Sequence, residues 1–124
     1  MIVLSMLVAA GVAAVNLPKG DFKNLKILPQ DISPEKLDSI MESYNKALAV
    51  KCSFCHTPVK NYSDSLDFAS DENHMKEEAR KMMRMTIDLN KNWFYYNKDQ
   101  QPIDLNVVQC MTCHRGDPYP VLNK

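Results

Sequence analysis

CSFCH at residues 52–56 and CMTCH at residues 110–114 share one pattern, in which two cysteines three positions apart are followed directly by a histidine. The two copies contain all four cysteines of the 124-residue chain and two of its three histidines. C-x-x-C-H is the attachment sequence of c-type haem. On one helical turn the two cysteines point the same way and can both reach one porphyrin, while the histidine lies under the iron as its proximal ligand. The sequence therefore predicts two covalently bound haem c groups.

Other uses of four cysteines fit this spacing less well. A zinc site formed by the four cysteines would not explain why a histidine follows each cysteine pair. The number of residues between Cys55 and Cys110 also exceeds the spacing between the cysteine pairs of a zinc ribbon. A redox dithiol would need a βαβ context that the sequence does not predict. Structural disulfides in an exported protein are the plainest alternative.

Composition excludes several functional classes. The chain has 15 Lys and Arg against 15 Asp and Glu, which argues against a basic nucleic-acid surface or a polybasic membrane surface. With only three glycines it has no glycine-rich phosphate loop. Its length supports one compact domain, or two small lobes that share a core.

The N-terminal segment differs from the rest, because residues 2–15 carry no charge. At about 1.5 Å per residue, a helix of this length spans roughly 21 Å, short of the ~30 Å hydrocarbon core of a bilayer. We interpret residues 1–17 as a retained membrane anchor or a cleaved secretion signal, with a buried soluble helix as a third alternative. Residues 18–32 then form a lead-in linker and residues 33–124 the haem domain. Either of the first two interpretations sends that domain to the periplasmic side of a bacterial membrane, anchored there or soluble after cleavage.

Two helices are predicted from hydrophobic periodicity. The first begins with a Ser33 cap and Pro34 in its first turn and runs to about Ala49. The second begins at residues 70–72 and runs to about Phe94, and its charged residues are predicted to form a solvated side: Glu72, Glu77, Glu78, Arg80, Lys81 and Arg84. No segment alternates apolar and polar residues over the length of a strand. The sequence therefore predicts an all-α fold, preceded by an N-terminal apolar helix.

The sixth iron ligand of each haem decides between electron transfer and chemistry on a small molecule. Thioethers and the remaining histidine, His74, are the candidates. Met41 lies on the apolar face of the first helix, shortly before Cys52. Met82 lies on the apolar face of the second helix. At 100° per residue Met83 and Met85 point elsewhere, so at most one methionine of this group is expected to be a ligand.

The chain resembles the haem-binding repeats of the cytochrome subunit of photosynthetic reaction centres. The resemblance implies two helix–turn–helix haem-binding repeats, each a ligand-bearing helix followed by a helix that carries C-x-x-C-H. Residues 37–56 are similar to the first repeat, while ARKMMRMTIDLNKNW (79–93) and CMTCHRGDPYP (110–120) are similar to the second. The resemblance implies that Met41 and Met82, rather than Met85, are the sixth ligands, and His74 matches no ligand position of the family. The large members carry four haems, whereas this chain has two attachment motifs. Phe94-Tyr95-Tyr96 stands where the family places a histidine that serves a distant haem.

These observations predict an exported dihaem c-type cytochrome that transfers single electrons and is not an enzyme. Its expected partners are redox donor and acceptor proteins, or a membrane respiratory or photosynthetic complex. The predicted site residues are Cys52, Cys55, His56 and Met41 for the first haem, and Cys110, Cys113, His114 and Met82 for the second. The alternative is a haem-based gas sensor or a peroxide-active enzyme, which requires that one iron have an open axial position.

Overall fold

The structure is a computed structural model that describes residues 20–94, 99–100 and 107–120, apart from the side chain of Ser63. The predicted N-terminal apolar helix lies outside the described residues. Within the described ranges, no helix combines the length and the apolar character that crossing a bilayer would require.

Helix α1 spans Pro34–Leu48, as predicted. The Ser33 hydroxyl accepts a hydrogen bond from the Lys36 N–H at 3.2 Å. Pro34 has no backbone N–H, but an N–H at this position would have no partner within the helix, so no helical hydrogen bond is lost. The helix ends at Ala49, which adopts the left-handed conformation (φ 51°) and donates its N–H to the Asn45 carbonyl. These local signals define both ends of α1.

The prediction of an all-α fold is wrong, because an antiparallel hairpin follows the first attachment motif. Strand β1 (Thr57–Val59) pairs with β2 (Tyr62–Asp67), and Asn61 in the turn adopts φ 69°. Most of the described hairpin side chains are exposed. Alternation of apolar and polar residues arises only when one face of a strand is buried, so a small solvated hairpin leaves no such pattern. The described part of the chain is therefore mixed, with three helices and one two-stranded sheet.

Helix α2 spans His74–Trp93 and begins later than the sequence predicts. Its cap is Asn73, whose Oδ1 accepts a hydrogen bond from the Met75 N–H at 3.0 Å. The Ser70 hydroxyl instead accepts from the Glu72 N–H in the preceding loop. The last helix, α3, spans Cys110–His114 and packs against α1.

The apolar core is small and draws on the segment predicted as a linker. Leu28 and Ile32 from that segment pack with Ile40 of α1. Further apolar side chains lie against this cluster: Phe22, Leu25, Leu37, Met41, Tyr44 and Met83. The segment before α1 therefore belongs to the packed body of the molecule.

Helix α2 contains a buried arginine. Arg80 is 6% exposed, so the prediction that it belongs to the solvated side is wrong. Its guanidinium donates to the Asp71 carboxylate at 2.9 Å, to the Glu77 carboxylate at 3.1 Å and to the Asn24 carbonyl at 3.1 Å. These partners compensate the desolvation of the charge and connect α2 to the segment before α1.

Candidate functional site

The first attachment motif folds as a single turn. Cys52–Phe54 form a 3₁₀ helix, and the Cys52 carbonyl accepts from the N–H groups of Cys55 at 3.2 Å and His56 at 3.0 Å. The Asn73 side chain donates to the Phe54 carbonyl at 3.0 Å, which fastens this turn to the beginning of α2. Both cysteines of the motif thus lie on one turn, as the spacing predicts.

The histidine of the first motif is held in a partly buried, cationic environment. The edge of the His56 ring contacts Phe68, with 5.0 Å between ring centroids. Burial, together with the positive charges of Lys76 and Arg80, lowers the pKa of His56. Its Nδ1 is buried and finds no hydrogen-bond partner within the described part of the chain. A neutral imidazole is the form in which histidine binds a metal.

The second attachment motif is α3 itself. At its beginning, the Thr112 hydroxyl accepts a hydrogen bond from the Gln109 N–H at 3.0 Å. At its end, Arg115 (φ 50°) and Gly116 (φ 86°) turn the backbone into the left-handed region. The Gly116 N–H then reaches the Ala47 carbonyl of α1 at 2.9 Å. This bond holds the second motif against the helix that precedes the first.

The histidine of the second motif has a partner that orients its ring. His114 Nδ1 lies 2.9 Å from the Asp117 carbonyl. A carbonyl can only accept, so Nδ1 carries the proton in this contact and Nε2 keeps its lone pair for a metal. The Asp117 carboxylate in turn accepts from the Tyr119 N–H at 2.8 Å, which holds the loop in place.

A groove joins the second motif to α2. It is lined by Met82, Met85, Thr86, Leu89, Val108, Gln109, Cys110, Cys113 and His114. The predicted ligand Met82, 40% exposed, therefore shares this groove with the predicted thioether cysteines and histidine. Met85 lines the same groove, so the prediction that it points elsewhere is wrong. Met83 instead packs against the apolar core.

The candidate ligand of the first haem lies elsewhere in the structure. Met41 is half-buried and packs against the cluster of Leu28, Ile32 and Ile40. A groove of about 580 Å³ beside the first motif is lined by Glu42, Asn45 and Lys46 of α1, by residues 49–53 and by Leu66. The structure does not bring Met41 to that groove. His74 is exposed at the first residue of α2.

All four cysteines are free thiols. Burial raises the pKa of Cys55, and the neighbouring Cys52 adds to the effect. Burial likewise raises the pKa of Cys110. Each pair lies on one turn beside a histidine, and the second pair opens on a largely apolar groove. This arrangement fits a covalently attached haem at each motif, and the thiols are not engaged in the disulfides that were the plainest alternative.

Two asparagine side chains, one at the cap of α2 and one near its end, are functional candidates that the sequence analysis did not identify. Asn90 is 1% exposed and forms hydrogen bonds with both backbone groups of Val108, just before the second motif. Asn73 holds the Phe54 carbonyl in the first motif. The sequence does contain a signal for Asn90. This residue directly follows Leu89 on the inner side of an amphipathic helix, where an apolar residue is usual.

Known proteins resemble almost the whole chain. The family model of the photosynthetic reaction centre cytochrome C subunit matches residues 8–122. The photosynthetic reaction center cytochrome c subunit of Roseobacter denitrificans is 27% identical over 84% of this chain and 26% of that protein. The corresponding subunit of Rubrivivax gelatinosus is 30% identical over 91% of this chain and 28% of that protein. Cytochrome c-554 of Chloroflexus aurantiacus is 35% identical over 70% of this chain and 19% of that protein. The chain thus spans about a quarter of the length of the curated relatives it matches.

Proposed function

This chain belongs to the photosynthetic reaction centre cytochrome c subunit family, and we propose that it is a dihaem c-type cytochrome that carries single electrons. Membership of a cytochrome c family implies covalently bound haem c. The observation that supports two haems is that both C-x-x-C-H motifs fold as single turns with free thiols. In this proposal the protein has no substrate of its own.

Cys52 and Cys55 hold the first haem, with His56 as the proximal ligand and Met41 as the sixth. The burial and lowered pKa of His56 support its role, because a ligand histidine must be neutral. Met41 is supported by the family resemblance and by its place on α1, eleven positions before Cys52. Met41 packs against the apolar core in this structure. To bind the iron, its side chain must therefore turn toward the porphyrin when haem is attached.

Cys110 and Cys113 hold the second haem, with His114 and Met82 as its axial ligands. The groove that these four residues share supports this set. The Asp117 carbonyl holds the His114 ring in the tautomer that leaves Nε2 available to iron, and such a bond raises the basicity of the ligand.

When bound, each haem supplies an iron that gains or loses one electron. The residues around it act by filling both axial positions, since a closed iron changes charge without exchanging ligands. A methionine thioether raises the reduction potential, and the burial and hydrogen bonding of the proximal histidine adjust it further.

The expected partners are redox proteins, and the relatives are named as subunits of photosynthetic reaction centres. A donor and an acceptor protein, or a membrane respiratory or photosynthetic complex, would exchange electrons with this chain. Its apolar residues 2–15 support export to the periplasmic side of a bacterial membrane, with the segment kept as an anchor or removed as a signal. A shared repeat does not assign the host pathway.

The absorption spectrum of the full-length haem-loaded protein tests the proposal, in ferric and ferrous forms with and without carbon monoxide. Two haems per chain, a far-red methionine–iron band and no response to the gas are expected. A carbon monoxide-sensitive fraction of about half in the unmodified protein would indicate one open iron, and would favour gas binding or peroxide chemistry instead.

Paired methionine variants test which methionine is the sixth ligand of each haem. Met82→Ala should make about half of the haem sensitive to carbon monoxide, while Met85→Ala, a change in the same groove, should leave the spectrum unaltered. The reverse result would make Met85 the ligand. For the first haem, Met41→Ala should open the other half, with Met83→Ala as the control because both methionines pack against the same core.

A further inference from the structure

Asn90 has a more deeply buried side chain than its position near the end of a surface helix requires. It is 1% exposed, and it is the one fully buried large side chain among the described residues. An amide in such a place must find hydrogen-bond partners, because burying it without them is costly. Its partners reveal what it holds.

The Asn90 amide binds the backbone of Val108 in both directions. Its Nδ2 donates to the Val108 carbonyl at 2.9 Å, and its Oδ1 accepts from the Val108 N–H at 2.8 Å. Nδ2 also donates to the Thr86 carbonyl, one turn earlier in α2, at 2.9 Å. One side chain thus replaces the pair of hydrogen bonds that a neighbouring strand would make.

This contact joins two segments that are well separated along the chain. Asn90 and Val108 are 18 positions apart, and Val108 lies two residues before Cys110. A connection of this length does not by itself determine how closely its ends approach. The hydrogen bonds of Asn90 therefore hold α2 close to the segment that enters α3.

The distance between these two segments also separates the two axial ligands proposed for the second haem. Val108 and Gln109 line the groove from one side, and Met82 and Leu89 line it from the other. Asn90 directly follows Leu89 in α2, so its bonds to Val108 hold the two walls of the groove together.

We propose that Asn90 is a positioning residue that sets the distance of Met82 from His114 and thereby maintains methionine ligation at the second haem. This inference rests on the proposed function. The methionine sulfur is a weak neutral ligand, so a modest widening of the groove is enough to detach it from the iron. The covalent links of Cys110 and Cys113 to the porphyrin are not broken by such a change.

The test uses the full-length haem-loaded protein and Asn90→Leu, which keeps the volume of the side chain and removes its hydrogen bonds. We expect the variant to retain two haems per chain, lose about half of the far-red methionine–iron band and bind carbon monoxide at about half of its haem. Asn92→Leu is the matched control, because Asn92 is exposed on the same helix and donates to Asp88 instead. It should leave both readouts unchanged.

A double variant separates positioning from general damage. If Asn90 acts through Met82, Asn90→Leu combined with Met82→Ala should bind carbon monoxide to the same extent as Met82→Ala alone. A larger sensitive fraction in the double variant would show that the first haem is also disturbed, and would overturn the inference.

The remaining outcomes are also decisive. An unmodified protein with one haem, or with an open iron, would refute the proposed function before any variant is compared. If the unmodified protein has two closed haems and Asn90→Leu keeps its full band without binding the gas, only the inference about Asn90 fails. If neither Asn90→Leu nor the smaller change Asn90→Ala yields haem-loaded protein, Asn90 serves the folding of the whole chain, and the specific assignment is overturned.

Discussion

The two attachment motifs have the same spacing of cysteines and histidine but different surroundings. The first is a 3₁₀ turn that leads into a hairpin, and the Nδ1 of His56 has no partner in the described chain. The second is a short α-helix, and the Nδ1 of His114 bonds to the Asp117 carbonyl at 2.9 Å. Three residues of spacing are enough to place two cysteines on one turn. The environment of the histidine depends on the segments that pack around it.

That difference predicts unequal reduction potentials. In the proposed dihaem protein, the bond to Asp117 makes His114 the more basic of the two proximal ligands, and a more basic ligand favours oxidised iron. Lys76 and Arg80 carry positive charge beside His56, opposed by the charge of Asp67, and in the proposed protein their net effect favours the reduced state of the first haem. Both effects lead us to expect the higher potential at the first haem.

Removal of one cysteine pair is the most severe way to separate the two sites. Cys52→Ala with Cys55→Ala should lower the haem content from two per chain to one and leave the second site loaded, because α3 is held by its own contacts with α1. Haem content by alkaline pyridine spectra and intact mass measures the result. The reciprocal pair, Cys110→Ala with Cys113→Ala, is the control. Loss of both haems from either variant would mean that the two sites assemble as one unit.

Arg80→Met should lower both the stability of the chain and the potential of the first haem. Hydrogen bonds to charged groups contribute about 1.5–3 kcal/mol each in favourable cases, and Asp71 keeps other partners, so we expect a loss of about 2 kcal/mol in the free energy of unfolding. Urea unfolding and a spectroscopic redox titration measure the two effects.

Arg84→Met is the matched control, because Arg84 is exposed and contacts Glu77 at 3.3 Å. It should change the free energy of unfolding by less than about 0.5 kcal/mol. A shift in the second haem but not the first would contradict the assignment of Arg80 to His56.

The charge cluster at Asp71 predicts a dependence on acid. Hydrogen bonds from Lys26 first, and also from Arg80, Asn24 and Lys76, hold the pKa of Asp71 well below its ordinary value of 3.8. A carboxylate with a depressed pKa in the folded state contributes stability that is complete above its ordinary pKa and is lost as the pH falls through the folded value.

Unfolding measured between about pH 2 and 6 should therefore show stability falling in the acid part of this range, and Asp71→Asn should flatten that fall. Asp88→Asn, a change in an exposed carboxylate on α2, is the control. An unchanged acid profile in Asp71→Asn would show that other carboxylates govern it.

The smallest expected effect concerns the loop after the second motif. Gly116 adopts φ 86° with open space where a Cβ would lie, so Gly116→Ala meets no clash but must adopt a left-handed backbone. We expect a loss of about 1 kcal/mol in the free energy of unfolding, confined to the second site. Asn61→Gly in the hairpin after the first motif is the counterpart, since glycine accepts φ 69° freely. Equal destabilisation by both changes would contradict this account.

Much of the local structure could be predicted from the sequence. The Ser33-Pro34 start of α1 was correct because a cap acts within a few residues. The beginning of α2 was misplaced because several residues before it could cap a helix, and the contact of Asn73 with Phe54 selects among them. The hairpin was missed because a solvated strand pair has no buried face to set a periodicity.

The sequence by itself determined the two attachment motifs, the turn that each one forms and the amphipathic character of α1 and α2. These features depend on residues a few positions apart, whose geometry is nearly independent of the rest of the chain. Tertiary structure decided that Arg80 is buried, that Met82 and Met85 share a groove and that Asn90 holds Val108. It also decided that the Nδ1 of His114 has a hydrogen-bond partner while the Nδ1 of His56 has none in the described chain. Such contacts join residues from different segments of the chain, and they form only when packing brings those segments together.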